Sequence, residues 1–169
     1  MSEVSNLRNA LRQLPWPVTL IGSYYNGRHN LMTASWVSQV SSSPPLVMLS
    51  ISPERLTFEL LTASGEFVLS ILSAEQVRIA QFCGNQSGRR VKKVEVLGIR
   101  TAPGNLVKVP ILPDCIANIE CRVINAFPAG DHVLFIAEAL AGVKSDQPVT
   151  PLVLWNQEWG TYTPSTQPH

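Results

Sequence analysis

Three short segments of this 169-residue chain gather hydroxyls, glycine and cations where strand ends or loops would expose them. They are Thr33-Ala34-Ser35-Trp36, Ser50-Ile51-Ser52 with Arg55 and Thr57 close behind, and Ser87-Gly88-Arg89-Arg90. Small side chains let backbone N–H groups approach a ligand, and guanidinium groups add charge-assisted donors, so the combination suits an anion. Each segment also has a plain structural account: a strand with a hydroxyl face, a helix cap, a solvated basic loop. Residue types alone point to an anion and do not name it.

Other chemistries are poorly served. HExxH, GxxxxGK[ST], GxSxG and GxGxxG are all absent, which removes the common hydrolase, nucleotidase and dinucleotide-fold signatures. His29, His132 and His169 lack a second ligand at zinc spacing, so no metal site is expected. Cys83, Cys115 and Cys121 form an odd set without CxxC spacing, and Cys121 sits in an alternating apolar run as a small core residue would. With no export-like start, the expected compartment is a reducing cytoplasm. A net charge of +1 gives no positive field for a nucleic acid, and no apolar stretch reaches the length of a membrane span. Charged residues are 15% of the chain against 45% hydrophobic, a balance that points to surface buried against a partner.

The elements that must position these segments are mostly strands. Val4, Leu7, Leu11 and Leu14 recur at helical spacing before Pro15 and Pro17, giving a short amphipathic helix over residues 1–14. The run 18–23, the turn Asn26-Gly27 and the run 31–40 read as a β-hairpin. Pro44-Pro45 precedes a third strand over 46–51. Pro53 starts a helix to about Ala63, ended by Gly65, and Phe67 to Leu72 is the next strand. Ser73 and Gln76 have capping-box spacing ahead of a helix that leads into Cys83-Gly84-Asn85-Gln86-Ser87-Gly88. Residues 117–127 and 132–143 form a second hairpin around Pro128-Ala129-Gly130-Asp131, and 152–155 is a last strand. The tail 163–169 is expected to fray. The fold class is mainly β with short helices, most simply a barrel.

Read in order, the segments resemble the flavin reductase-like family with the FMN-binding split barrel, the group that includes the flavoredoxins. The matching pieces include Asn30-Leu31-Met32-Thr33-Ala34-Ser35-Trp36, Pro44-Pro45-Leu46-Val47, Arg55-Leu56-Thr57, Gly65-Glu66-Phe67, Phe82-Cys83-Gly84, Ser87-Gly88-Arg89, Ile119-Glu120-Cys121-Arg122-Val123 and Gly130-Asp131-His132, within residues 15–142. Order and spacing carry the resemblance; no single tripeptide does. Two departures stand out. Where the family often has Asp-Lys-Phe after the Ser-Gly-Arg loop, this chain has Lys92-Lys93-Val94, and a glycine common after the Gly-Asp-His strand is missing from Phe135-Ile136-Ala137-Glu138-Ala139. Both bear on substrate and nicotinamide specificity rather than on fold.

The resemblance implies a single domain over 1–169: a Greek-key split β-barrel, homodimeric, with FMN near the interface. Asn30, Thr33, Ala34, Ser35, Trp36, Ser50, Ile51 and Ser52 would line the flavin, and Arg55, Thr57, Ser87, Gly88, Arg89 and Lys93 would form its phosphate end. His132 would stand near the open ring face as the catalytic candidate, the plain structural account being a surface histidine in the hairpin loop. The implied activity is NAD(P)H-dependent flavin reduction, with NADH or NADPH as donor. The alternatives are a flavoredoxin-like electron carrier that serves a redox protein partner, and a protein that only holds flavin.

Overall fold

The computed structural model describes residues 3–163; the first two residues and 164–169, most of the tail expected to fray, lie outside it. α1 (Glu3–Leu11) forms on the Val4, Leu7, Leu11 spacing and stops short of Pro15. β1 (Trp16–Pro17) is a two-residue strand. β2 (Thr19–Tyr25) and β3 (Arg28–Ala34) make the expected hairpin, in register from Thr19↔Ala34 to Tyr25↔Arg28. Asn26 and Gly27 both adopt left-handed backbone, φ 48° and 78°, as a two-residue turn between twisted strands requires.

The run 31–40, expected as one strand, divides. β3 ends at Ala34, Ser35 and Trp36 cross a gap, and β4 (Val37–Ser42) begins on its far side, pairing with β5 (Pro45–Ile51). α2 (Leu56–Ser64) starts later than Pro53, because the Arg55 N–H bonds the Ser52 carbonyl at 3.1 Å and draws 53–54 into a turn. Gly65 ends α2 as expected, its N–H bonding Leu61 O at 2.8 Å. β6 (Glu66–Ile71) follows. A 3-10 turn at Ala74–Gln76 carries the expected capping box and leads into α3 (Val77–Asn85). α4 (Lys93–Leu97) is short and leaves no sequence period. β7 (Ala117–Ala129) and β8 (His132–Lys144) are the long second hairpin, and β9 (Leu152–Trp155) and β10 (Glu158–Thr161) close the described chain.

Seven strands form one antiparallel sheet in the order β3-β2-β6-β7-β8-β5-β4, and β1-β9-β10 form a second, small one. β3 and β4 are two residues apart in sequence yet stand at opposite ends of the large sheet and share no ladder, so the sheet is not closed. It still curls round one core: Ile21, Ala34, Leu49, Phe67, Cys121 and Phe135, from β2, β3, β5, β6, β7 and β8, meet in a single cluster. The gap between the end strands, with α2 and α3 beside it, is where the hydroxyl-rich segments gather.

Candidate functional site

The residues singled out by type converge on a groove made of two adjoining pockets. One, of about 190 Å³, is lined by Thr33, Ala34, Ser35, Trp36, Ser50, Ile51, Ser52 and His132. The other, of about 110 Å³, is lined by Asn30, Thr57, Ser87, Gly88 and Lys93. Met32, Arg55 and Gly84 line both and so form the junction. The groove follows from topology: β3 gives one wall, the β5–α2 turn the other, and the end of α3 with its following turn closes one end.

At the cationic end, Asn30 is buried and its Nδ2 donates to Thr57 Oγ1 at 2.9 Å, tying β3 to the first turn of α2. Gly88 packs against that amide so closely that a Cβ would lie 2.0 Å from Asn30 Oδ1. Arg55 is the N-cap residue of α2, its side chain makes no capping bond, and among the described residues its guanidinium has no hydrogen-bond or ion-pair partner. The helix N-terminus adds the partial positive charge of its free N–H groups. Ser87 Oγ accepts from the Arg89 N–H at 3.3 Å and shapes the turn. Glu54 also lines this pocket, so the end is cationic without being uniformly so.

Two of the expected phosphate-end residues act differently from a free cation. Arg89 lines neither pocket: its Nη1 bonds Glu59 at 2.7 Å, and Glu59 also holds Arg28 at 3.4 Å. Lys93 lines the pocket but is buried, with Nζ donating to Leu31 O and Cys83 O, both at 2.7 Å. It therefore serves an edge carbonyl of β3 and one of the unpaired carbonyls in the last turn of α3. Burial lowers the Lys93 pKa, the neighbouring Cys83 opposes that, and the like charge of Arg55 adds to it.

At the other end Thr33 Oγ1 donates to Ala80 O at 2.6 Å, so this hydroxyl fixes α3 on β3. The Ser50 N–H bonds Trp36 O at 3.0 Å, which joins the two walls. Trp36 is 46% exposed and stacks on His132 with centroids 4.8 Å apart, tilted 49°. Trp16 meets Trp36 edge-on at 6.5 Å. His132 Nδ1 is 2.8 Å from Asp131 Oδ1, and that contact holds the Asp131 carboxyl below its usual range. An imidazole oriented by a carboxylate beside an indole face forms an aromatic, hydrogen-bonding mouth to the groove.

Residue types missed Met32 and Gly84 at the junction, Glu59 as the partner of Arg89, and Trp16 behind Trp36. Met32 lies between the flagged Asn30 and Ala34 on β3, so strand alternation was the available signal. The other three depend on tertiary approach. Larger clefts of about 420 and 510 Å³ exist elsewhere, but none of the flagged residues lines either. Among the described residues no cluster of His, Cys, Asp and Glu could hold a metal, and no helix is long and apolar enough to cross a membrane. Burial pushes the three thiols up, to about 11 for Cys83 and Cys115 and about 12 for Cys121.

A family model described as flavin reductase like domain matches residues 11–163. An uncharacterized protein of Archaeoglobus fulgidus is 39% identical over 117 residues, which cover 69% of this chain and 66% of that protein's length. The NADH:riboflavin 5'-phosphate oxidoreductase of Streptomyces pristinaespiralis is 32% identical over 163 residues, 95% of this chain and 89% of that one. Among solved structures, a flavoredoxin from Methanosarcina acetivorans aligns with a TM-score of 0.81 at 25% identity, over 91% of this chain and 88% of that one.

Proposed function

We propose that this chain, which belongs to the flavin reductase-like family, is an oxidoreductase that holds FMN and reduces it with NADH or NADPH. The observation that carries the reading is the continuity of the groove: a cationic end at Arg55, Ser87 and the α2 N-terminus runs through Met32 and Gly84 to a mouth of small hydroxyls, Trp36 and His132. The donor set fits a phosphate dianion, since Arg55 lacks a partner among the described residues and helix N–H groups stand beside it. Thr33 to Trp36 and Ser50 to Ser52 would flank the ring, and His132, held by Asp131, would face the nicotinamide. Lys93 would act through the backbone it binds rather than on the phosphate. Bound FMN would supply the redox chemistry, accepting electrons from a reduced nicotinamide and passing them on.

The pockets are shallow for a cofactor of this size, which supports a second subunit completing the enclosure. The chain would thus act as one domain, a split barrel of Greek-key type, in a cytoplasmic homodimer with FMN near the interface. FMN that touches both subunits must strengthen their association by the factor that dimerisation strengthens FMN binding. Sedimentation velocity of apo and holo protein across a dilution series reads that linkage, and identical curves would refute it.

The decisive experiment is anaerobic mixing of the FMN-loaded protein with NADH or NADPH, with mass spectrometry of the heat-released ligand. Rapid loss of the flavin band and a released mass of FMN support the proposal; a protein that rejects FMN overturns it. The likeness to flavoredoxin favours a second reading, an electron carrier fed by a protein donor. Persistent colour with both nicotinamides selects it.

A further inference from the structure

α1 is a nine-residue helix whose apolar stripe is largely left exposed in its own subunit. Val4, Leu7, Leu11 and, just beyond the helix, Leu14 are 60%, 62%, 51% and 51% exposed. The other described side chains of α1, Asn6, Arg8, Asn9 and Ala10, are exposed as well. Isolated helices shorter than about 12–15 residues are marginal in water, so a helix like this owes its persistence to a surface that covers one face. The root of the segment is nevertheless fixed. Arg12 O accepts from the Asn156 N–H at 3.0 Å, and Gln13 O accepts from Trp155 Nε1 at 3.1 Å. The helix therefore leaves the β9–β10 turn as an anchored arm.

The same chain carries an apolar cleft that its own arm leaves open. This is the cleft of about 420 Å³ lined by Pro17, Val37, Leu46, Leu69, Ile119 and Ala139, from β1, β4, β5, β6, β7 and β8. Of its polar lining residues, the Thr19 hydroxyl donates to Ala34 O at 2.7 Å, Ser38 Oγ to Gln39 O at 3.1 Å and Gln39 Nε2 to Ser41 O at 3.1 Å, so little in it asks for a polar ligand. Pro17 stands on its lip, a few residues from the root of the arm.

The area argument points to a second copy. A compact monomer of 18.5 kDa exposes about 8,200 Å², whereas this chain exposes 10290 Å². The exposed stripe of α1 and the open cleft contribute to that surplus, and each partner of a standard interface buries roughly 800 Å². A two-fold pair uses any complementary arm and cleft on one chain twice, with no further partner needed.

We propose that α1 of each subunit lies across the apolar cleft of a second copy of this chain, so that two reciprocal arm-in-cleft contacts hold the dimer. This rests on the homodimer in the reading above and deepens it by assigning the surface. Sedimentation velocity with two variants tests it: Leu7→Glu/Leu11→Glu spoils the arm and keeps the cleft, and Leu46→Glu spoils the cleft and keeps the arm. Each alone should dissociate at concentrations at least about tenfold above the parent's. An equimolar mixture should recover association, because one intact arm then meets one intact cleft.

A variant that dimerises like the parent, or a mixture no tighter than its components, overturns the proposal while leaving the dimer itself standing. A parent that is monomeric at every concentration fells both. FMN absorbance of each variant is read separately, so loss of the flavin reading is distinguishable from loss of the arm. If Leu46→Glu does not fold, the chain lacking residues 1–11 replaces the mixture. A dimer loosened at least about tenfold in that chain supports the arm, and an unchanged one refutes it.

Discussion

Gly88 and Asn30 meet with no room between them: a Cβ on Gly88 would fall 2.0 Å from Asn30 Oδ1 and 2.6 Å from its Cγ. Asn30 cannot step aside cheaply, because its Nδ2 is bonded to Thr57 Oγ1 at 2.9 Å in a buried position. Three elements, β3, α2 and the turn after α3, are thereby locked at one point of the groove.

Gly88→Ala should therefore displace the 86–89 turn. Overpacking of this kind costs about 1–3 kcal/mol, and FMN affinity should fall by at least about tenfold, since a decade corresponds to about 1.4 kcal/mol. Fluorescence titration with FMN checks it. Unchanged affinity in a folded variant would separate the turn from the ligand.

Arg55→Ala removes a guanidinium that has no partner among the described residues. A hydrogen bond to a charged group is worth about 1.5–3 kcal/mol, so FMN should bind roughly ten- to a hundredfold more weakly. The melting temperature of the free protein should barely move. A large loss of stability with unaltered affinity would assign Arg55 a structural role instead.

Lys93→Met leaves the carbonyls of Leu31 and Cys83 without the donor each now has at 2.7 Å. An unsatisfied buried carbonyl costs about 1–3 kcal/mol, partly offset because the ammonium no longer has to be desolvated. Urea titration should show a net loss on the order of 1–3 kcal/mol, with weaker FMN binding through the loosened end of α3. A direct phosphate contact would instead weaken FMN with no stability change.

Glu120 accepts from the Asn105, Leu106 and Val107 N–H groups at 2.9, 2.6 and 2.9 Å. Burial pushes its carboxyl up, but these bonds outweigh burial and hold it below its usual 4.5. A lowered folded-state pKa contributes stability that is present above pH 4.5 and lost as the pH falls through the folded value. Glu120→Gln should cost about 1.5–3 kcal/mol at pH 7, and the difference from the parent should shrink in acid. Denaturation curves at pH 7 and pH 3.5 read both effects.

Buried thiols raised to about 11 or 12 hold almost no thiolate near neutrality. Iodoacetamide at pH 8 should leave Cys83, Cys115 and Cys121 of the native protein unmodified, and the proposed NAD(P)H oxidation intact. Rapid labelling of Cys83 with loss of turnover would show that the groove opens to its floor.

Much of this architecture is legible in the sequence because local chemistry decides it. Asn26-Gly27 strongly favours a tight left-handed two-residue turn, Ser73 and Gln76 satisfy each other's backbone, and 117–143 alternates long enough to declare a hairpin. β1, α4 and β10, with two, five and four residues, are too short to show a period. The break at Ser35-Trp36 is invisible locally, since both flanks look extended and only the sheet order separates them. In the groove, residue types marked Arg89 and Lys93 as cations. What they bind, Glu59 and two carbonyls, is set by contacts 30, 62 and 10 residues away.

The strand order also sets a schedule for the nascent chain. β3 and β5, the two walls of the groove, are synthesised early, but the ladder between them runs β3-β2-β6-β7-β8-β5 and includes the hairpin at 117–144. Until that hairpin emerges from the ribosome and inserts between β6 and β5, the first half of the chain holds two separate sheet fragments with open edges. Such long-range pairing is slow, and it exposes strand edges while it waits. Ligand capture would then report that β8 has emerged, and a truncation within β8 soon after His132 would yield a chain that has every groove residue but no completed groove.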